Sequence, residues 1–127
     1  MTGVIEYLEL EDLLELGREI IPNFKVRDIG LLDSAAKRPQ TIVFGDDAYP
    51  SFAEKVAALM HSLARNHALV DGNRRLSWAA GRLFCLMNAR DLMMSVDDAE
   101  QIILSLSQGE LDAKDLAIKI EGALVFR

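Results

Sequence analysis

The chain holds one cysteine, three prolines and only 6% aromatic residues in 127 positions. Each scarcity excludes something. With Cys85 alone, no internal disulfide can form. Its setting, Leu83-Phe84-Cys85-Leu86, is that of an ordinary buried thiol. No apolar run approaches the length of a membrane span. The opening Met1-Thr2-Gly3-Val4-Ile5-Glu6 lacks the basic-then-apolar order of a secretion signal, so the expected location is cytoplasmic, with no membrane partner. No Gly-x-x-x-x-Gly-Lys-Ser/Thr phosphate loop is present. Basic residues are outnumbered, 14 against 20 acids, for a net charge of -6 and a pI near 4.8. That balance argues against a broad nucleic-acid-binding face. It leaves room for one small phosphate ligand, because Arg65, Arg74, Arg75 and Arg82 lie close together in sequence while acids dominate both ends.

No repeat, low-complexity tract or dividing linker interrupts the chain, and its length suffices for a real core. The expectation is one domain over residues 1–127, all-α, a compact bundle of about six helices with a short β-like flap. Val4 to Leu8 reads as a short strand. Leu10, Leu13, Leu14, Leu16, Ile20 and Ile21 recur at roughly helical spacing. Asp28 to Lys37 reads as a second helix, stopped by Arg38-Pro39 because the residue before proline disfavours helix. Thr41, Ile42, Val43 and Phe44 are β-like and Gly45-Asp46-Asp47 is turn chemistry, together an extended flap or hairpin. Ser51-Phe52-Ala53-Glu54 is a capping box that opens a strong, central helix. A further helix is expected from Asn73 to about Asn88, another capped around Asp97-Asp98-Ala99-Glu100 and stopped near Gly109, and a last one from Asp112 toward Leu124.

Between the two strongest helices lies His67-Ala68-Leu69-Val70-Asp71-Gly72-Asn73-Arg74-Arg75. The start of a helix exposes unpaired N–H groups that favour an anion. Gly72 allows close approach of the chain. Asn73 can cap the helix or bond a phosphate oxygen, and Arg74 and Arg75 add fixed positive charge. Asp71 can orient His67 or hold Mg²⁺. His67 is the natural base, its ordinary pKa lying near working pH. Plainer readings exist for each part: Asp-Gly-Asn is common turn chemistry, paired arginines often sit on a solvated helix face, and His61 reads as structural. His61 and His67, six residues apart, fall on different helical faces and make a poor metal pair.

The nine residues from His67 to Arg75 resemble the signature of the Fic/Doc family, in particular the Doc (death-on-curing) branch with its His-x-Phe-x-Asp-Gly/Ala-Asn-Lys-Arg pattern. Gly30-Leu31-Leu32-Asp33-Ser34-Ala35-Ala36-Lys37-Arg38-Pro39, Tyr49-Pro50, Leu63-Ala64-Arg65-Asn66-His67 and Leu83-Phe84-Cys85-Leu86-Met87-Asn88-Ala89 resemble further stretches of that branch. The likeness spans roughly residues 5–110.

The resemblance implies a Fic-type helical core and a toxin of a type II toxin–antitoxin pair. Its activity would be that of a kinase moving the ATP γ-phosphate to a threonine of the elongation factor EF-Tu, so that translation stops. The cognate antitoxin would block it through a C-terminal segment laid in a groove. Carried over by position, His67 is the base, Asp71 positions Mg²⁺ and the reacting groups, and Arg74 joins them in catalysis. Arg65, Gly72, Asn73, Arg74 and Arg75 hold phosphates, while Thr41, Ile42, Val43 and Phe44 form a flap that aligns the target by strand addition. Leu69 replaces the branch's phenylalanine and Arg74 its lysine. AMP-transferring relatives carry a glycine where Arg74 stands and an arginine where Trp78 stands, so phosphate transfer is favoured. The alternatives are AMP transfer to a protein hydroxyl and a weakly active module that chiefly docks the antitoxin.

Overall fold

In the computed structural model, which describes residues 4–127, six helices make up most of the chain. They are α1 (Leu10–Ile20), α2 (Ile29–Lys37), α3 (Phe52–Arg65), α4 (Asn73–Met87), α5 (Val96–Ser107) and α6 (Ala113–Ala123). Four very short strands pair as two antiparallel ribbons: β1 (Ile42–Val43) with β2 (Asp46–Asp47), and β3 (Arg90–Leu92) with β4 (Leu124–Phe126). The mostly helical class and the number of helices agree with the sequence pattern. No helix among the described residues is long and apolar enough to cross a membrane.

Helix α3 is the hub. Ten of its fourteen residues are buried, and it packs against α2, α4, α5 and α6, because its alanines let neighbouring helices approach on every side. The Ser51 hydroxyl accepts from the Glu54 N–H and the Glu54 carboxylate accepts from the Ser51 N–H, the reciprocal cap its sequence calls for. Helix α4 lies against α3 so closely that a Cβ on Gly81 would stand 2.5 Å from the Met60 sulfur. The buried Ser77 hydroxyl donates to the Met60 carbonyl across the same contact at 2.7 Å. The two helices that flank the motif are therefore fixed to each other independently of the loop that joins them.

Several boundaries differ from the sequence reading. Val4 to Leu8 forms no strand. Its backbone polar groups are met by a side chain instead, since the Glu6 N–H donates to the Asn88 carboxamide oxygen and the Glu6 carbonyl accepts from the Asn88 amide. The second helix does end at Lys37, as Arg38-Pro39 predicts, but Arg38–Gln40 then adds a 3-10 turn with proline at its start, where a missing N–H costs nothing. The cap of α5 is Ser95, whose hydroxyl accepts from the Asp98 N–H, two residues before the expected acidic cluster. The last helix ends at Ala123, and Leu124 enters β4.

The flap is a two-residue hairpin. Ile42 pairs with Asp47 and Val43 with Asp46, leaving Phe44 and Gly45 at the tip with φ of 51° and 85°. Left-handed backbone at both central residues is what the right-handed twist of a tight hairpin favours. Its base is pinned to α3 by the buried Lys55, whose ammonium donates to the Tyr49 carbonyl and lies 3.4 Å from the Asp47 carboxylate. Arg38 completes the anchor, donating to the Tyr49 hydroxyl at 2.9 Å and the Ser62 hydroxyl at 3.0 Å, with the His61 Nδ1 2.8 Å away. Burial and the neighbouring Arg38 and Arg65 charges lower the His61 pKa, and the ring belongs to a structural network.

Candidate active site

The loop between α3 and α4 begins with a reversal. After Arg65 ends α3, His67 takes a left-handed backbone (φ 51°), which turns Ala68 and Leu69 into the core, where both are almost fully buried. Leu69 is thus an apolar anchor in the place its resemblance suggested. The segment from Lys25 to Asp28 closes over the loop. The Arg27 and Asp28 N–H groups both donate to the Ala68 carbonyl, at 2.8 and 3.0 Å, and the Val70 N–H donates to the Lys25 carbonyl at 3.0 Å. The chain then turns into α4 at Gly72, with φ of 89°. A Cβ there would also lie 2.7 Å from the Ile21 Cδ1, so glycine is required twice over: by the backbone angle and by the packing against the end of α1.

The first turn of α4 offers donors without acceptors. Its first backbone hydrogen bond from within the turn is Leu76 N–H to the Gly72 carbonyl, and the N–H groups of Asn73, Arg74 and Arg75 have no acceptor among the described residues. These are the orphan donors that make a helix start attractive to an anion. Asp71 sits beside them, exposed, one carboxylate oxygen accepting from the Gly72 N–H at 2.9 Å.

His67, Asp71, Gly72, Asn73, Arg74 and Arg75 line one open cleft of about 860 Å³, walled on its other sides by Ile21, Pro22, Asn23 and Ser107. The three wall residues from the end of α1 and the one from the end of α5 carry no sequence signal; only tertiary packing brings them there. The His67 imidazole is exposed to solvent.

The side chains expected to hold phosphate differ in how free they are. The Asn73 carboxamide is committed to the loop itself, accepting from the Leu69 N–H at 3.0 Å and donating to the Leu69 carbonyl at 3.1 Å. Arg75 donates to the Ile20 carbonyl at 3.2 Å, closing the C-terminal end of α1, where a cation is favourable. Arg65 does the same for α5, donating to the Ser107 carbonyl at 3.0 Å, and does not line the cleft. Arg74 alone of these makes no hydrogen bond or ion pair among the described residues, and it is exposed. Arg74 and Arg75 also border a second groove of about 760 Å³ that continues past Trp78 and Arg82 to Met93 and Val96. The flap residues Thr41, Ile42, Val43 and Phe44 are exposed and do not line the cleft.

No cluster of three or more His, Cys, Asp or Glu suited to a metal occurs among the described residues. The cleft offers one carboxylate, Asp71, and its second oxygen has no partner among the described residues. This suits Mg²⁺ arriving with phosphates, since that ion commonly takes one or two protein carboxylates and fills its other positions from phosphate and water.

The Fic/DOC family matches residues 7–85, from just before α1 through the cleft and most of α4. The chain is 46% identical over 120 residues, covering 92% of each sequence, to the protein named Toxin Doc from Mycolicibacterium smegmatis. The chain belongs to the Fic/Doc family.

Proposed function

We propose that this protein is a Doc-type toxin that moves the γ-phosphoryl group of ATP to a protein hydroxyl, with a threonine of EF-Tu as the target. The carrying observation is the start of α4: three unpaired N–H groups, the free guanidinium of Arg74 and the Asp71 carboxylate share one cleft with His67. In such a site the work is positioning and charge stabilisation rather than covalent chemistry.

In this reading the triphosphate lies against the first turn of α4, held by its N–H groups and by Arg74, with the remaining N–H groups of Arg75 in reach. Asp71 would hold Mg²⁺, which neutralises phosphate charge. The His67 imidazole takes the proton of the target hydroxyl. The hydroxyl oxygen bonds to the γ-phosphorus as the bond to the β–γ bridging oxygen breaks, and ADP leaves with that electron pair. Asn73 and Gly72 act by shape, keeping Leu69 buried and the helix start open. The apolar hairpin from Ile42 to Phe44 would offer its exposed strand edge to the target chain.

The name of the relative supports the toxin role and implies a cognate antitoxin as partner. Incubation with EF-Tu and Mg·ATP followed by intact-protein mass spectrometry tests the reading. A phosphate-sized gain on EF-Tu is expected. An AMP-sized gain would replace phosphate transfer with AMP transfer, and no gain on EF-Tu would remove it as the target.

A further inference from the structure

The conformation of His67 is not secured by its own helix. Ala89 and Gly109, which leave α4 and α5 in the same left-handed conformation with φ of 59° and 77°, each donate an N–H back into the helix, to the Leu86 and Leu106 carbonyls. Such a bond is the usual lock on a left-handed helix end. The His67 N–H makes no equivalent bond among the described residues. Unlike Gly109, His67 also carries a Cβ, which disfavours this backbone region. A residue in that position persists only where its surroundings hold it.

What holds it comes from 40 residues upstream. The Arg27 guanidinium donates to the His67 carbonyl through both Nε, at 3.1 Å, and Nη2. Two donors on one rigid planar group fix the direction of that carbonyl more tightly than one flexible donor could. Arg27 is itself placed by the backbone, through its N–H on the Ala68 carbonyl at 2.8 Å and the neighbouring Val26–Leu69 bridge. The strap therefore clamps the peptide groups on both sides of the Ala68 Cα.

We propose that Arg27 is a positioning residue for His67: by gripping the His67 carbonyl it keeps the backbone left-handed and so sets where the imidazole stands in the cleft. The inference rests on the reading of His67 as the base, but its structural half can be tested without any activity. In Arg27→Gln, the three-bond HN–Hα coupling and the Cα chemical shift of His67 should move away from left-handed values, while those of Leu69 and Asn73 stay in place. Phosphoryl transfer should lose about tenfold to hundredfold in kcat, the usual scale for a displaced catalytic group, with KM for ATP unchanged. Arg27→Lys, which keeps a donor, should recover part of both. Unchanged His67 resonances in Arg27→Gln would overturn the proposal, as would a moved backbone with undiminished kcat. Activity surviving His67→Ala would instead refute the base assignment and leave the resonance result standing on its own.

Discussion

Two clusters in this molecule are built from the same residue types and end in opposite states. Around Asp91, in β3, both carboxylate oxygens are paired: Arg82 approaches at 3.0 Å and Arg127 at 2.8 Å, and the Leu92 N–H donates at 2.8 Å. The carboxyl is buried, and the Arg82 hydrogen bond, set against the cost of burial, holds it well below the usual carboxylate range. Around Asp71, the nearby arginines are turned to other work or left free, the carboxylate faces solvent, and three helix N–H groups have no partner among the described residues. The first arrangement is finished and ties α4 to the C-terminal ribbon. The second is left open, and in the function proposed above an anion completes it. On that reading, charge marks a binding site where the fold leaves it uncompensated.

The comparison can be broken most severely at His67. His67→Ala should lower phosphoryl transfer by about 10²–10⁴-fold, the range for a lost general base. Thermal stability should be unchanged, because the imidazole is exposed. Quantitative mass spectrometry of the product beside a thermal melt would check both.

At the finished cluster the consequence should be one of stability. Asp91→Asn should cost about 1–3 kcal/mol, the scale for losing hydrogen bonds to a charged group. The sign with pH follows from the lowered pKa. Stability from Asp91 is fully present above the unfolded value near about 4 and is lost as pH falls below it, where the folded state resists protonation and the unfolded chain does not. Denaturant melts from neutral to acid pH should therefore show a steeper loss for the native protein than for Asp91→Asn, the two curves converging at the acid end.

The smallest expected effect is at the hairpin tip. Phe44 is fully exposed, so Phe44→Ala should leave the melting curve in place. KM for the protein target should rise about tenfold, as for loss of one interface side chain worth over about 1 kcal/mol, and KM for ATP should not change. A two-substrate kinetic titration would separate the two.

Much of this architecture is written locally. The capping box at Ser51, the apolar stripe of α3, the hairpin chemistry around Gly45 and the helix start at Asn73 are each set by residues within four positions of one another, so the sequence pattern reveals them. What escapes is set by distant partners. Arg90-Asp91-Leu92 has no strand-like alternation, and its pairing depends on Leu124–Phe126, which continues the apolar rhythm of α6 before entering the ribbon. Arg27 looks like any surface arginine until the fold brings it to His67. The nine-residue motif was legible as a unit, yet the uses of its side chains were not. Asn73 bonds to its own loop, and Arg75 and Arg65 reach carbonyls at the ends of α1 and α5. Sequence shows which groups are present; packing determines which of them stay free.

The most direct measurement is phosphoryl transfer by Asp71→Asn and Asp91→Asn side by side, at a temperature where both are folded. If catalysis resides in the uncompensated cluster, Asp71→Asn should fall by about 10²-fold or more, the scale for removing a charge that stabilises the transition state. Asp91→Asn should stay close to the native rate. An active Asp71→Asn beside an inactive, fully folded Asp91→Asn would contradict the account.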